Sequence, residues 1–286
     1  EEFIDAVSKG LLHCAVLLEN MLPTAFLVYS TAISESVELN TIHCLGDEDL
    51  VNKRNKLMEF FMEQTKAERK NAVVCYPMLG SQGEYTPDIT HFGFKLIGLI
   101  VLRFSMSDSL SSMILENMEI PEMDSRYQIV GWDNKYFESA VNVIHSTFQH
   151  TSDALFDTRF TTLDGTRDII DKVVNNIYGE FLPDATTVLL CDGEPVGFAF
   201  ANVTGGKIAN IPLVGVLEQH RGTGLSVLML QRVMNTILSN MRAGKRQFSE
   251  VNVTTETDNF GALRMYRTVG FREDYSYSQA YLPAEM

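Results

Sequence analysis

Between residues 219 and 230 the chain reads QHRGTGLSVLML, with two glycines two apart at the entrance of an apolar, helix-like run. The first N–H groups of a helix have no partner within it, and the aligned peptide dipoles leave partial positive charge there. Gly222 and Gly224 carry no Cβ, so a ligand can approach the backbone and φ is free. Arg221, Gly222, Thr223, Gly224, Leu225 and Ser226 therefore predict an anion cradle fit for a pyrophosphate. Arg221 adds a positive charge and Ser226 a small polar side chain. The spacing lacks the third glycine of the dinucleotide fingerprint and the Gly-Lys-Ser/Thr of a Walker loop. The plainer alternative is an ordinary tight turn from strand to helix.

The elements around this turn follow from hydrophobic period. RYQIVGW (126–132) alternates like a strand. A helix is expected over 134–150, with Phe137, Val141, Ile144 and Phe148 on one face, and a second over 166–181, with Ile169, Val173 and Ile177 in register. Asp192-Gly193 punctuates a hairpin. KIANIPLVGVL (207–217) reads as a strand bent or bulged near Pro212, and a long helix runs from about 222 to 243. A strand at 250–256, a short helix at 259–269 ending in Gly270-Phe271, and a strand over 274–282 complete the second half.

Composition sets limits on the rest. The 286 residues are 45% hydrophobic and carry a net charge of −14, which disfavours nucleic acid and anionic membranes as partners. That field suits an amine-bearing acceptor, but plain solubility is the default account of it. No apolar run approaches the roughly 18 to 20 residues of a membrane span. FGFKLIGLIVLRF (92–104) is broken by Lys95 and Arg103 and reads as paired strands. Cys14, Cys44, Cys75 and Cys191 form no C-x-x-C pair and are expected as buried free thiols of a reducing, cytoplasmic setting. The histidines form no H-E-x-x-H, and no metal is expected.

A repeat is also visible. Laying Gly93-Phe94 on Gly270-Phe271 lays 72–78 on 249–255 and 41–64 on 218–241, while 10–30 falls roughly on 187–207. The first lobe (1–118) thus reads as an incomplete copy of the second (119–286), lacking counterparts of the strand and two helices at 126–181. The boundary lies in the proline-bearing, acid-rich 115–126. In the first copy the turn reads CLGDEDLVNK, where Gly46 is followed by Asp47, Glu48 and Asp49. These carboxylates suit a helix start but repel a pyrophosphate.

Two motifs now converge on one family. Arg221-Gly222-Thr223-Gly224-Leu225-Ser226 after a strand resembles the Gln/Arg-x-x-Gly-x-Gly/Ala signature of the GCN5-related N-acetyltransferase (GNAT) superfamily, with glycine also in the second place and serine in the last. Its companion Asn-x-x-Ala-x-x-x-Tyr-x-x-x-Gly-Phe is matched by Asn259, Ala262, Tyr266, Gly270 and Phe271. The resemblance covers about 126–282. With the repeat it makes the chain similar to tandem GNAT proteins, among them mycothiol-synthase-like enzymes and secreted bacterial effectors of the VipF type. It implies an α+β fold of two GNAT-like lobes, each a mixed, mostly antiparallel sheet flanked by helices. It also implies transfer of an acetyl group from acetyl-CoA to an amine, protein or small molecule, in the cytoplasm or inside a host if the effector likeness holds.

Carried over by residue, the resemblance puts the CoA pyrophosphate on the amides of 221–226 and the pantetheine arm beside Val214 and Val216. The N–H of Val216 or its neighbour would face the thioester carbonyl; such a fixed donor supplies on the order of 3 kcal/mol. Tyr266 would protonate the leaving thiolate, or simply pack in the core. Asn259 would touch the CoA arm, cap its helix, or both. Lysine-acetylating relatives carry a glutamate where this chain has Asn210, so no base is named; relays through Glu218 or His220 stay open. The first lobe lacks a matching tyrosine, offering His91 and Phe92. It is expected to complete a core, shape an acceptor groove or bind a partner protein. A GNAT-shaped protein-binding scaffold and a transferase of longer acyl groups are the other readings.

Overall fold

Where apolar residues recur at every second position the chain is extended, and where they recur at three and four it is helical. The computed structural model describes residues 2–10, 12–33, 36–68, 72–119 and 122–284. It opens with α1 (Glu2–Ser8), β1 (His13–Glu19), β2 (Leu22–Ile33), β3 (Ser36–Cys44), α2 (Leu50–Glu68) and β4 (Val73–Met78). A 3-10 turn (Gly80–Tyr85), α3 (Thr86–Ile89), β5 (Lys95–Ser105) and α4 (Ser109–Asn117) follow. Next come β6 (Tyr127–Gly131), α5 (Phe137–Phe148), α6 (Asp153–Phe156), α7 (Leu163–Val174), β7 (Glu180–Phe181), β8 (Thr187–Cys191) and β9 (Glu194–Ala199). The chain ends through β10 (Asn202–Gly205), β11 (Ile208–Asn210), β12 (Val214–Val216), α8 (Leu225–Arg242), β13 (Glu250–Glu256), α9 (Phe260–Thr268) and β14 (Arg272–Leu282).

These elements form two compact units. The first holds Glu1–Leu99, Leu155–Thr158 and Tyr277–Met286; the second holds Ile100–Ala154 and Arg159–Ser276. In the first, β1, β2 and β3 pair antiparallel, and β4 joins β3 in parallel, Ser36 to Glu38 against Val73 to Cys75. The end of β14 closes the other side of β4, with Ser278 opposite Met78 and Leu282 opposite Val74. Leu27, Leu39, Phe61, Tyr76, Tyr85 and Ala280 fill its core.

The second unit has two sheets. One carries, in order, the end of β5, then β13, β11, β10 and β7; the other is β12, β9, β8 and β6, antiparallel throughout. One core lies under α8 and α9 (Met229, Val233, Val251, Val253, Tyr266, Phe271). The other lies under α5 and α7 (Val141, Ile144, Ile170, Val188, Phe198, Phe200). The architecture is mixed α+β, with mostly antiparallel sheets flanked by helices. Leu102, Phe104 and Leu115 pack in the second unit's core, so the compact units divide at Leu99–Ile100 although the composition changes only after Leu115.

Three sequence expectations are corrected. FGFKLIGLIVLRF is one strand, β5, rather than a pair. The helix expected over 166–181 is α7: Thr162 caps its start by accepting the Gly165 N–H, and Asn176 turns to φ 66° beyond its end. Ile177 therefore leaves the helical register and is 65% exposed. Of the four free thiols only Cys75 is buried, and Cys14 stands exposed on β1, where alternation turns it to the open face. Among the described residues no helix is long and apolar enough to cross a membrane, and no three His, Cys, Asp or Glu side chains cluster as metal ligands.

Candidate functional site

The expected bend at Pro212 is a parting of strands. Ile208, Ala209 and Asn210 of β11 run parallel to Glu250, Val251 and Asn252 of β13. The Ile211 N–H reaches the Asn252 carbonyl at 3.1 Å. Beyond it the chain leaves β13 and re-forms as β12 against β9, with Val214 opposite Ala199 and Val216 opposite Gly197. Proline at 212 has no N–H to extend the first ladder. The flanking bonds fix which groups face which side: Phe200 N–H donates to the Leu213 carbonyl, and Leu217 N–H to the Val196 carbonyl, both at 2.9 Å. Leu213, Gly215 and Leu217 thus face β9, and alternation turns the N–H and C=O of Val214 and Val216 to the side that β13 has left.

Gly215 lets α5 close on this strand. A Cβ there would stand 2.6 Å from Thr147 Oγ1 and 3.2 Å from Ile144 Cδ1. Thr147 Oγ1 is itself anchored to the carbonyls of Val143 and Ile144. Sequence reasoning passed over Gly215; a glycine inside a strand pattern is the signal that marks such close approach.

At the end of β12 lies the glycine turn. Gly222 and Gly224 both take φ 81°, the left-handed conformation that glycine adopts without penalty. Gly224 is the N-cap of α8 and supplies no side-chain cap, while the first turn of α8 holds no acidic residue. Val227 and Leu228 N–H groups close on the Gly224 carbonyl. Nothing lies within 4 Å of the position a Gly222 Cβ would take. Leu225 turns its side chain into the core, so only its backbone can serve the cradle. Thr223 Oγ1 donates to the His220 carbonyl at 3.3 Å. Arg221 folds back, its Nε donating to the Val216 carbonyl at 2.7 Å, and so ties the turn to the strand. His220, half-buried, has its Nδ1 2.9 Å from Tyr127 Oη, edge-on to that ring.

Asn259 caps α9, its Oδ1 accepting the Ala262 N–H at 3.1 Å. Tyr266, two turns on, is 6% exposed and packs edge-on against Phe271. Burial, helped by the negative charge of Asp153, pushes its phenol well above the ordinary range, so it stays protonated. Next to Asp153, Ser152 Oγ donates to Glu256 Oε1 at the end of β13.

The first unit parts its strands in the same way and then fills the gap. After Glu38 and Cys75 the parallel pairing of β3 and β4 stops. Leu45 N–H donates to the Thr24 carbonyl, which sets Ile42 and Cys44 facing away from β2. The Ile42 N–H is taken at 3.0 Å by Gln82 Oε1, which also accepts the Tyr76 hydroxyl. At the head of α2, Asn52 and Lys53 are held by Asp49 and by the Glu48 carbonyl.

Residues 154–271 match the acetyltransferase (GNAT) family. No curated protein matches the chain. Among solved structures the chain is similar to a GCN5-related N-acetyltransferase from Sphaerobacter thermophilus, with 16% identity over 96% of this chain and 81% of that one and a TM-score of 0.64. A tandem GNAT protein from the clavulanic acid biosynthesis pathway shares 14% identity over 96% and 83%, with a TM-score of 0.55. A GCN5-related glucosamine N-acetyltransferase region of a fungal multi-domain GH3 β-N-acetylglucosaminidase shares 12% identity over 95% of this chain and 33% of that one, with a TM-score of 0.63. At these identities the likeness is one of fold, and the family match covers residues 154–271.

Proposed function

We propose that the second unit is an acetyl-CoA-dependent N-acetyltransferase acting on an amine. The observation that carries this reading is the parting of β12 from β13, with the N–H groups of Val214 and Val216 turned to the gap, directly before a helix mouth where nothing stands within 4 Å of a Gly222 Cβ. Backbone groups turned into a gap between strands can take an extended ligand as an added strand. The residues fit the cofactor: amides of Gly222 to Ser226 for the diphosphate, and Val214 and Val216 for the amide-bearing arm. Bound there, acetyl-CoA supplies an activated acetyl thioester. Val214, farther from the glycine turn than Val216, presents its N–H nearest the apex of the gap and is assigned to the thioester carbonyl.

Tyr266 acts as a hydrogen-bond donor to the departing sulfur. Its raised pKa makes it a weaker acid than a free phenol, so it stabilises the thiolate more by hydrogen bonding than by full proton transfer. Asn259 holds α9 in place for it and stays available to the arm through its remaining amide group. Asn210 cannot take a proton. With His220 tied to Tyr127, Glu218, Asp153 and Glu256 are carboxylates that would receive one through water. The first unit, its gap filled by Gln82, has a non-catalytic role. The effector likeness gains no support from the structural neighbours and is not proposed.

Isothermal titration of the full chain with acetyl-CoA tests the reading: one site per chain is expected, with thiol release on adding an amine panel. Absence of binding heat removes the enzyme and leaves a GNAT-shaped scaffold.

A further inference from the structure

Two hairpins of this chain are built alike. Asn20-Met21 turns β1 into β2 at φ 51° and 68°, and Asp192-Gly193 turns β8 into β9 at φ 51° and 88°. Behind the first turn Glu19 faces Leu22 and Leu18 faces Pro23; one residue of β2 is then skipped, and Leu17 meets Ala25. Behind the second, Cys191 faces Glu194, Leu190 faces Pro195, and after the same skip Leu189 meets Gly197. Leu18 thus corresponds to Leu190, and Cys14 to Thr186.

In the second unit the far side of β8 is closed by β6, running antiparallel. The Asp192 N–H donates to the Arg126 carbonyl at 2.8 Å, and the Trp132 N–H to the Thr186 carbonyl at 3.1 Å. Alternation therefore turns the backbone groups of Thr186, Val188, Leu190 and Asp192 to β6. Their counterparts on β1 and its turn are Cys14, Val16, Leu18 and Asn20. Thr24 Oγ1 donates to the Leu17 carbonyl, which agrees: Leu17 faces β2, so its neighbours face away. Among the described residues no strand pairs with that far side of β1.

This edge is undefended. Natural edge strands are kept short, or guarded by lysine, proline or a bulge. β1 runs seven residues, HCAVLLE, without lysine or proline, and the skipped residue of its hairpin lies on β2. Cys14, Val16 and Leu18 are exposed on its outer face, Val16 at 51% and Leu18 at 54%. Unpaired backbone groups beside exposed apolar side chains form a template for one more strand.

We infer that this edge takes β1 of a second copy of the chain, antiparallel across a twofold axis. The strand complements itself in the register centred on Val16. Val16 then faces its own copy, Cys14 faces Leu18, and Ala15 faces Leu17, apolar against apolar. His13 of each copy faces Glu19 of the other, imidazole and carboxylate on one face of the joined sheet. The twofold repeats every pairing, so both ends gain the opposite-charge contact. The residues whose N–H and C=O point outward, Cys14, Val16 and Leu18, fall opposite one another, and the ladder forms without rearrangement. Sliding by two residues keeps that phase but sets Glu19 against Ala15 or His13 against Leu17. The antiparallel direction is also the one β6 takes against β8.

The test is the oligomeric state of the full chain. Sedimentation at about 100 μM should give a mass near twice that of one chain, a concentration suited to a small interface. Val16→Lys, the residue type that guards natural edges, should raise the dissociation constant at least tenfold with an unchanged circular dichroism spectrum. Leu18→Cys sets a thiol opposite Cys14 of the other copy. A hydrogen-bonded pair holds its Cα atoms about 5.5 Å apart, within reach of a disulfide. Mild oxidation should therefore give a covalent dimer, lost again when Cys14→Ser is added. The parent should give none, since its two Cys14 residues lie out of register. A monomer at that concentration, a dimer indifferent to Val16→Lys, or the absence of this cross-link overturns the inference. Should Val16→Lys alter the spectrum, the cross-link alone decides.

Discussion

Gly222→Asn separates the two reasons a glycine can stand at the helix mouth. At φ 81° most L residues lose roughly 1–2 kcal/mol, but asparagine is among the few that tolerate this region. The position is otherwise open, with nothing within 4 Å of an added Cβ. Asparagine should therefore leave the fold almost unchanged, with a melting temperature within about 3 °C of the parent. It nevertheless puts a side chain into the approach to the amides. If two of those amides grip a diphosphate by charge-assisted hydrogen bonds of about 1.5–3 kcal/mol each, losing both costs about 3–6 kcal/mol. That is a loss of about a hundredfold or more in acetyl-CoA affinity. Gly222→Asp should weaken binding further, because its carboxylate adds repulsion in the same place. Calorimetric titration beside a thermal melt reads both effects. Asparagine binding acetyl-CoA within threefold of the parent, at equal stability, refutes the idea that bare backbone at this turn holds the cofactor.

Three further outcomes are expected. Gly215→Ala brings a Cβ to 2.6 Å from Thr147 Oγ1, which two carbonyls hold in place; overpacking should cost about 1–3 kcal/mol in urea unfolding and weaken acetyl-CoA binding as β12 shifts. Tyr266→Phe should lower kcat by about tenfold or more with acetyl-CoA affinity kept. Because the phenol is raised above its ordinary range, the parent's rate should show no falling limb from this group below about pH 10; a limb there that vanishes in the phenylalanine variant contradicts its burial. Gln82→Ala removes the partner of the Ile42 N–H and should cost about 1–3 kcal/mol, while the titration still counts one acetyl-CoA per chain.

What was legible in the sequence was what short segments decide for themselves. The Asp192-Gly193 hairpin takes φ 51° and 88°, Asn259 caps α9, and Gly224 starts α8 in the left-handed region, each as residue type alone suggests. The bend at Pro212 was legible for the same reason. What was hidden is partner choice. Alternation made 95–105 a strand, yet nothing in its period says that it ends beside β13 while the end of β14 lies beside β4. Tyr127 and His220 lie 93 residues apart, and no local signal couples them. Asn202, Asn210 and Asn252 form a row only through register, and are unremarkable until two ladders align them. Ile177 failed for the opposite reason, since its apolar period ran on after Asn176 had already broken the helix.

The proposed silence of the first unit has a sharper cause than the acidic turn suggested by sequence. Asp47, Glu48 and Asp49 would repel a diphosphate, but repulsion at an exposed turn is screened and falls within about a Debye length. The gap itself is closed by a different device. In both units a parallel pair of strands runs three residues and then parts, leaving alternate N–H groups facing the gap. In the first unit the Ile42 N–H is satisfied by the carboxamide of Gln82, a group chemically like the amides of a pantetheine arm, and Tyr76 adds a second bond to the same oxygen. A ligand entering there would have to break both and leave the half-buried Gln82 carboxamide and the Ile42 N–H unpaired, a cost of a few kcal/mol before any contact is gained. In the second unit the Val216 carbonyl is taken by Arg221 Nε, and the N–H groups of Val214 and Val216 face the gap, where an extended ligand lying along the strand would pair them. The same parting of strands is thus a filled joint in the first unit, and under the proposed cofactor reading the matching gap of the second is the cleft; the residue that decides is the one that supplies, or withholds, an internal amide.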